Sequence, residues 1–245
     1  MTELLYLADC YLKEFDAQVL GVEGNMVELD KTAFYPESGG QPSDKGKLVR
    51  GSEEFTVVKA TKQSGKVLLE LDRNGIENGD AVHGVIDWNW RYKMMRMHSA
   101  AHVITMAIQE INPDVLVTGG QIGFEESRDD YCFKEWNDEI KGEIERKANE
   151  IVKQGIEVQI YELPREEAFQ MPQLFKLRDV LPPSVPMIRI VRIGDDLNAC
   201  GGTHVKNTLE IGRVSITKTK SKGLDNRRIY YSLGEAKSKN SRGNA

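Results

Sequence analysis

Residues 98–102 read His-Ser-Ala-Ala-His, and residues 200–204 read Cys-Gly-Gly-Thr-His. Imidazole nitrogen and thiolate sulfur are the ligand atoms that zinc prefers, and four of them complete a tetrahedral shell. Because about a hundred residues separate the two pairs, a metal bound by both would hold distant parts of the fold together. The sequence therefore predicts a zinc site formed by His98, His102, Cys200 and His204. The alternative is two ordinary histidines on a helix and one buried cysteine.

The first pair lies in a segment with helical periodicity. Apolar residues recur at three- and four-residue steps over Trp88–Ile111, which is typical of an amphipathic helix. Asp87 is a suitable N-cap, and Asn112–Pro113 ends the pattern. Residues four apart share one face of a helix, so His98 and His102 can reach a single ion.

The second pair is expected on a loop that follows a strand. Gly201 and Gly202 let the backbone turn tightly enough for Cys200 and His204 to reach the same ion. A catalytic zinc usually has three protein ligands and an open position, whereas four ligands imply a closed structural site. The residues alone leave both possibilities open.

The rest of this half of the chain combines helices with strands. A second helix is predicted at Asp138–Gln154, with Asn137 as its cap and Gly155 as its end, and a short helix opens at Pro164. Strands are expected at residues 157–161, 187–193, 212–219 and 228–233. We therefore expect an α+β architecture with helices packed on a β-sheet.

The first part of the chain contains short strand-like segments separated by turns, at residues 11–16, 18–22, 26–29, 47–49, 55–60, 66–71 and 81–86. Many short strands at such spacing indicate a small β-barrel or sandwich. We therefore divide the chain into a β domain at 1–86, a zinc-binding domain at 87–234 and a polar tail at 235–245, which we expect to be disordered.

Composition excludes several classes of protein. No segment approaches the roughly twenty apolar residues that span a bilayer, and the N-terminus lacks a secretory signal pattern. Three scattered cysteines are too few for a disulfide framework, so we expect a reducing cytoplasm, where Cys and His clusters more often bind metal. The net charge of −5 argues weakly against broad nucleic-acid binding, although local patches decide recognition.

Two basic segments form such patches. Residues 218–228 carry five cations against one anion, and Arg91, Lys93 and Arg96 precede the first histidine pair. Solvated surface charge is the ordinary explanation for both segments. Their closeness in the sequence to the expected metal ligands favours a functional role.

Two glycine-bearing segments are candidates for contacts with a ligand. Residues 32–46 read Thr-Ala-Phe-Tyr-Pro-Glu-Ser-Gly-Gly-Gln-Pro-Ser-Asp-Lys-Gly, and residues 118–123 read Thr-Gly-Gly-Gln-Ile-Gly. Glycine permits close approach of the backbone to a ligand, but a plain loop and a hairpin turn are the simpler explanations. The first segment lacks the lysine and hydroxyl spacing of a phosphate-binding loop. The second supplies a hydroxyl and an amide soon after the histidine pair.

Taken together, these motifs resemble those of AlaX-type alanyl-tRNA editing proteins, free-standing relatives of the editing domain of alanyl-tRNA synthetase. The resemblance covers nearly the whole chain, from the glycine-rich motif at 32–46 to Arg227–Arg228. The order of that motif, the His98 pair and the Cys200 pair is highly specific. The resemblance implies a small N-terminal β-barrel followed by an α/β editing domain, the arrangement of the medium-length type.

The resemblance also implies hydrolysis of tRNA(Ala) that wrongly carries serine, with glycine as a second candidate. Zinc would be the cofactor, with no membrane and no protein partner required. The implied residues are the zinc ligands His98, His102, Cys200 and His204, the editing-pocket residues Thr118, Gln121 and Gln41, and the substrate contacts Thr32, Gly39, Gly40, Lys218, Lys220, Arg227 and Arg228. Thr118 would meet the serine hydroxyl. Two alternatives are a non-catalytic RNA-binding module with structural zinc and a detached editing domain that needs a synthetase partner.

Overall fold

A computed structural model of the protein describes residues 2–133, 135–171, 174, 185–223 and 225–235. The chain divides into two compact units, Met1–Met95 and Arg96–Ala245. The polar tail expected to be disordered is 235–245, and all of it except Glu235 lies outside the described residues.

The first unit is built on a closed β-barrel. Its elements are β1 (Glu3–Leu4), α1 (Leu5–Ala8), β2 (Glu14–Glu23), β3 (Met26–Leu29), β4 (Lys31–Thr32), β5 (Gly46–Arg50), β6 (Glu53–Gln63), β7 (Lys66–Leu71) and β8 (Ala81–Ile86). The barrel order is β2-β3-β7-β6-β5-β8, while β1 and β4 form a separate parallel pair. Inward residues such as Val19, Leu48 and Leu69 are almost completely buried, because strand side chains alternate between the core and solvent.

The barrel resolves the choice between barrel and sandwich that the turn spacing left open. One detail of the strand prediction is wrong: residues 14–16 and 18–22 of the two expected segments belong to the single strand β2, and residues 11–13 lie before it. Ala17 does not interrupt the pairing, because it is buried in step with Phe15 and Val19. Its small side chain fits the alternation, and no Gly or Pro breaks the strand there.

A buried ion pair fixes the glycine-rich segment within the first unit. The Arg91 guanidinium binds both carboxylate oxygens of Asp44, and both side chains are fully buried. Arg91 also donates to the carbonyl oxygens of Cys10, at 2.9 Å, and Ala33. Asp44 in turn accepts the Tyr35 backbone N–H at 2.6 Å. The charges are therefore paired and hydrogen-bonded, as burial requires.

Helix α2 (Trp88–Ile111) has the predicted bounds. Asp87 caps it as expected, because its Oδ1 accepts the Trp90 backbone N–H at 3.1 Å. None of the described helices is both long and apolar enough to cross a membrane.

The second unit continues with β9 (Val117–Gln121), β10 (Ser127–Tyr131), α3 (Asp138–Gln154), β11 (Val158–Pro164), α4 (Arg165–Ala168), β12 (Met187–Ile193), β13 (Asp196–Ala199), a 3₁₀ helix (Thr208–Ile211), β14 (Val214–Ser221) and β15 (Arg227–Leu233). The strands form a four-stranded sheet in the order β14-β15-β10-β9 and a three-stranded sheet in the order β11-β12-β13. All pairings in both sheets are antiparallel. The α+β class is thus confirmed.

Helix α3 has the predicted cap and end and covers an open sheet edge. Asn137 Oδ1 accepts the Ile140 N–H at 2.8 Å, and Gly155 takes the left-handed conformation at φ 67°. The Asn149 side chain bonds both the N–H and the carbonyl of Val214 on the edge strand β14. Helix α3 thereby satisfies backbone groups that an edge strand would otherwise expose.

Candidate metal centre

The structure brings the four predicted metal ligands together in the second unit. One ligand atom from each of His98, His102, Cys200 and His204 lies within 4.8 Å of all the others. His204 is buried, and the other three are partly exposed. Three of the four ligand residues are therefore partly accessible to solvent, as a substrate would require.

The distances from Cys200 Sγ to two of the histidine nitrogens fit a tetrahedral ion. Cys200 Sγ lies 3.6 Å from His98 Nε2 and 3.3 Å from His204 Nε2. Bonds of about 2.3 Å to sulfur and about 2.0 Å to nitrogen would place neighbouring tetrahedral ligands about 3.5 Å apart. These two separations thus match a shared metal ion, and three imidazoles with one thiolate are a donor set suited to zinc.

The second ligand pair follows a strand, as predicted. Strand β13 ends at Ala199, and the chain then turns through Cys200 to His204. Arg189 on β12 fixes this loop, because its Nη1 donates to the carbonyl oxygens of Cys200, at 2.8 Å, and Gly202, at 3.0 Å. The Gly202 N–H points at Cys200 Sγ at 3.4 Å, which favours the charged thiolate.

Two residues that support the ligands are absent from the sequence-based prediction. Arg189 is almost completely buried beside the cluster, and Ser99 lies with its Oγ 3.1 Å from His204 Nδ1. A charged residue inside the apolar run Met187–Ile193 is a signal that could have identified Arg189. Ser99 carries no such signal, because a serine between two histidines on a helix is unremarkable.

The His98 and His204 rings are held in the neutral form. Removal from water and, to a smaller extent, the Arg189 charge together lower the pKa of His98 to about 4. The pKa of His204 is also well below its ordinary value, first through burial and then through His98, His102 and Arg189. Both rings therefore keep a nitrogen lone pair at neutral pH, as metal binding requires.

Thr118 and Gln121 lie on strand β9, so the hairpin turn that was the simpler explanation for this segment is wrong. The pairing with β10 skips Thr118: Val117 pairs with Tyr131 and Gly119 with Asp130. Thr118 is therefore the extra residue of a β-bulge, a feature that redirects a side chain. Its Oγ1 donates to Asn226 Oδ1 at 3.3 Å, and Gln121 is exposed.

The glycine-rich segment of the first unit forms a tight turn. Ser38 and Gln41 exchange backbone hydrogen bonds, with Gly39 and Gly40 at φ 56° and 80° between them. These positive angles require glycine or a similarly permissive residue. Gly39 and Gly40 are exposed, whereas Gln41 and Thr32 are buried. Thr32 Oγ1 accepts the Phe34 N–H at 3.1 Å.

The predicted basic residues Lys218, Lys220, Arg227 and Arg228 lie on the paired strands β14 and β15. The ammonium groups of Lys218 and Lys220 lie 4.2 Å and 5.8 Å from the centre of the Tyr230 ring. Lys218 also lies 3.5 Å from Glu126. Arg228 differs, because it forms two hydrogen bonds of 2.6 Å and 2.7 Å with Asp130.

Arg227 packs against an aromatic ring instead. Its guanidinium lies 5.3 Å from the centre of the Trp136 ring. Lysines and an arginine beside aromatic rings are typical of surfaces that bind RNA, where bases stack and phosphates meet cations.

Asp129, on β10 of the four-stranded sheet, is a buried acid, and its pKa leads to a prediction about stability. Burial raises its pKa to about 7, with a smaller contribution from the neighbouring Asp130 and against a hydrogen bond with Tyr231, which lowers it. The unfolded chain loses this proton at a lower pH than the folded chain, so stability must fall as pH rises from about 4 to 7. We expect Asp129→Asn to raise the free energy of unfolding at pH 8 by about 2 kcal/mol or more and to leave it nearly unchanged at pH 4.

Urea unfolding at both pH values checks this expectation. Asp130→Asn is the matched control, since it removes the partner of Arg228 and should destabilise the protein at pH 8. An Asp129→Asn variant with no gain at pH 8 would contradict the raised pKa.

Two protein-family models match parts of the chain. The one described as Threonyl and Alanyl tRNA synthetase second additional domain matches residues 188–230, which include Cys200 and His204. The one described as tRNA synthetases class II (A) matches residues 4–90. The fold, the metal cluster and these matches define a protein of the class related to alanyl- and threonyl-tRNA synthetases.

Individual relatives identify the family more narrowly than the family models do. The alanyl-tRNA editing protein AlaX-M of Saccharolobus solfataricus is 46% identical over 237 residues, which cover 95% of this chain and 99% of the relative. That of Methanosarcina mazei is 45% identical over 244 residues, covering 95% and 97%. The alanine–tRNA ligase of Pyrococcus furiosus is 40% identical over 241 residues, which cover 96% of this chain but 26% of the ligase. The chain belongs to the AlaX-M family of alanyl-tRNA editing proteins.

Proposed function

We propose that this protein hydrolyses the ester bond of tRNA(Ala) that wrongly carries serine, with glycine as a second substrate, at a zinc ion held by His98, His102, Cys200 and His204. As a member of the editing family it is an aminoacyl-tRNA deacylase. The observation that carries the proposal is the convergence of all four ligand atoms within 4.8 Å. The substrate implies that the reaction takes place in the cytoplasm.

The chain's own residues prepare the site for a metal. The His98 and His204 rings are neutral at pH 7, and the Gly202 N–H favours the Cys200 thiolate. Arg189 holds the Cys200 loop through two carbonyl groups. Bound zinc would supply a Lewis acid, which can polarise the ester carbonyl or lower the pKa of a water molecule.

The need for such an enzyme follows from the size of the amino acids. A pocket shaped for alanine cannot strongly exclude glycine, which is smaller, or serine, which adds one hydroxyl. A second site can select serine over alanine if it forms a hydrogen bond with the serine hydroxyl. The polar groups of that site then have no partner when alanine binds. Thr118 and Gln121 are our candidates for this pocket. A substrate contact by Thr32, Gly39, Gly40 and Gln41 of the glycine-rich segment remains a prediction from the sequence.

Contacts with RNA are proposed for the cationic face of β14 and β15. Lys218, Lys220 and Arg227 lie beside aromatic rings, and Lys218 is also paired with Glu126. Arg228 is the weakest candidate, because its charge is paired with Asp130. Such contacts position the acceptor end and carry little sequence information.

The rival function is a non-catalytic RNA-binding module in which zinc is structural. The deciding experiment incubates the purified chain alone with seryl-, glycyl- and alanyl-tRNA(Ala) and measures release of each amino acid. We expect serine to be released and alanine to be spared. Stoichiometric zinc with no release of serine or glycine would favour the RNA-binding module. Activity only on addition of a synthetase would favour a detached domain that needs that partner.

Thr118→Val should weaken the selection for serine. The change keeps the shape of the side chain and removes the hydroxyl that we assign to the serine contact. One lost hydrogen bond in a pocket costs about 1–2 kcal/mol, so the ratio of serine to alanine release should fall about tenfold.

Asn226→Ala is the control for this variant. It removes the partner of Thr118 and keeps the Thr118 hydroxyl. Selectivity should therefore survive better in Asn226→Ala than in Thr118→Val. Unchanged selectivity in Thr118→Val would refute the proposed contact between Thr118 and the serine hydroxyl.

A further inference from the structure

Ser99 lies at the centre of a small hydrogen-bond network behind the metal cluster. It is fully buried on helix α2, next to the ligand His98 in the sequence. Its Oγ is 3.1 Å from His204 Nδ1 and 3.2 Å from the Val205 backbone nitrogen. The hydroxyl thus touches one metal ligand and the residue that follows it.

The backbone contact limits what the hydroxyl can do. A backbone N–H only donates, so Ser99 Oγ accepts from Val205. The contact with His204 has two possible directions: the hydroxyl donates to Nδ1, or a protonated Nδ1 donates to the second lone pair of Oγ. The two directions correspond to opposite tautomers of the neutral ring.

The other ring nitrogen selects between them. His204 Nε2 faces the cluster, 3.3 Å from Cys200 Sγ. A neutral imidazole that binds a metal through Nε2 carries its proton on Nδ1. The opposite tautomer would place a proton on the nitrogen that must bind the ion.

We propose that Ser99 is a positioning residue, which accepts the Nδ1 proton of His204 and so presents the Nε2 lone pair to the metal. The inference rests on the proposed zinc site and adds a residue to it. It also gives a reason for the burial of Ser99: the same oxygen orients the His204 ring and fixes the Val205 backbone. Partners of this kind typically change metal affinity by about 10- to 100-fold when removed.

The first arm of the test uses the unaltered protein. The chain has four histidines, so long-range proton–nitrogen NMR of the zinc-loaded, nitrogen-15 histidine-labelled protein can resolve each ring. We expect His204 to carry its proton on Nδ1 and to bind zinc through Nε2. A His204 ring protonated on Nε2 in the zinc-loaded protein would overturn the proposal, whatever the variants do.

The second arm compares zinc dissociation constants by competition with a chelator. Ser99→Ala should bind zinc about 10- to 100-fold more weakly. Thr105→Val is the matched control, since Thr105 is a buried hydroxyl on the same helix that bonds Ala101 and Tyr131. Its zinc affinity should be that of the unaltered protein.

The outcomes separate the two proposals. An unaltered protein that takes up no zinc would contradict the proposed function and this inference together. Zinc uptake by the unaltered protein with equal affinity in Ser99→Ala would refute the role of Ser99 alone.

Discussion

Cys200→Ala should release serine from seryl-tRNA(Ala) about 10³-fold more slowly than the unaltered protein. A factor of 10³ corresponds to about 4 kcal/mol, which is within the several kcal/mol that a Lewis acid contributes to an acyl transfer. Cys200 is the only ligand of the four that can carry a negative charge. Without it, three neutral imidazoles would have to hold a dication near the buried Arg189 cation.

Cys132→Ala is the control for this experiment. Cys132 is a second cysteine of the same unit and does not belong to the metal cluster. The control should keep both its zinc and its rate. Full activity of Cys200→Ala with no bound zinc would show that the ester is cleaved without the metal.

Arg91→Met should lower the free energy of unfolding by about 3–5 kcal/mol, because it leaves a buried carboxylate without its partner. Both Arg91 and Asp44 are fully buried. The substitution also removes the donors to the carbonyls of Cys10 and Ala33. Denaturant unfolding followed by tryptophan fluorescence measures the effect.

Two further variants make this result interpretable. Arg91→Met combined with Asp44→Leu should recover part of the loss, since a buried apolar pair avoids the cost of a lone charge. Lys47→Met removes one partner of the exposed pair with Glu54 and should cost less than about 1 kcal/mol. A loss in Arg91→Met no larger than that in Lys47→Met would contradict the anchoring role of the buried pair.

The long periodic elements were predictable from sequence. Helices α2 and α3 have the expected bounds, because their apolar residues recur every three or four positions and Asp87, Asn137 and Gly155 mark their ends. Strands β3, β7, β8 and β12 were also found with their observed bounds, since their alternating or apolar patterns lie between clear turns.

Strands β9 and β10 were missed for a physical reason. Two glycines in β9 and the run Arg128–Asp130 in β10 look like a turn and a loop. Asp129 nevertheless occupies a buried position between Ser127 and Tyr131. Pairing with neighbouring strands outweighs local preference here, as it often does in sheets.

The clustering of the four candidate ligands was predictable from the sequence, but the residues that contact them were not. The repeated spacing of the two pairs led to His98, His102, Cys200 and His204. Ser99 and Arg189 act through contacts with residues distant in the sequence, as does the pairing of Arg228 with Asp130. The spacing of residues along the chain does not reveal such tertiary contacts.

The number of ligands that bind the proposed zinc ion at once would decide whether that ion acts as a catalyst or as a structural ion. The cluster offers four ligands, enough for a closed tetrahedral shell, which is typical of structural zinc. A catalytic ion would need one ligand to be displaced or its coordination to expand when the substrate binds. Partial exposure of His98, His102 and Cys200 places any such opening on their side of the cluster.

Restoration of activity by zinc tests the central claim most directly. The protein is stripped with a chelator, zinc is added in steps, and the initial rate of serine release from seryl-tRNA(Ala) is measured at each step. We expect no release without metal, a linear rise with added zinc and a break at one equivalent per chain. Full release by the stripped protein, or a rate independent of added zinc, would contradict hydrolysis at the four-ligand centre.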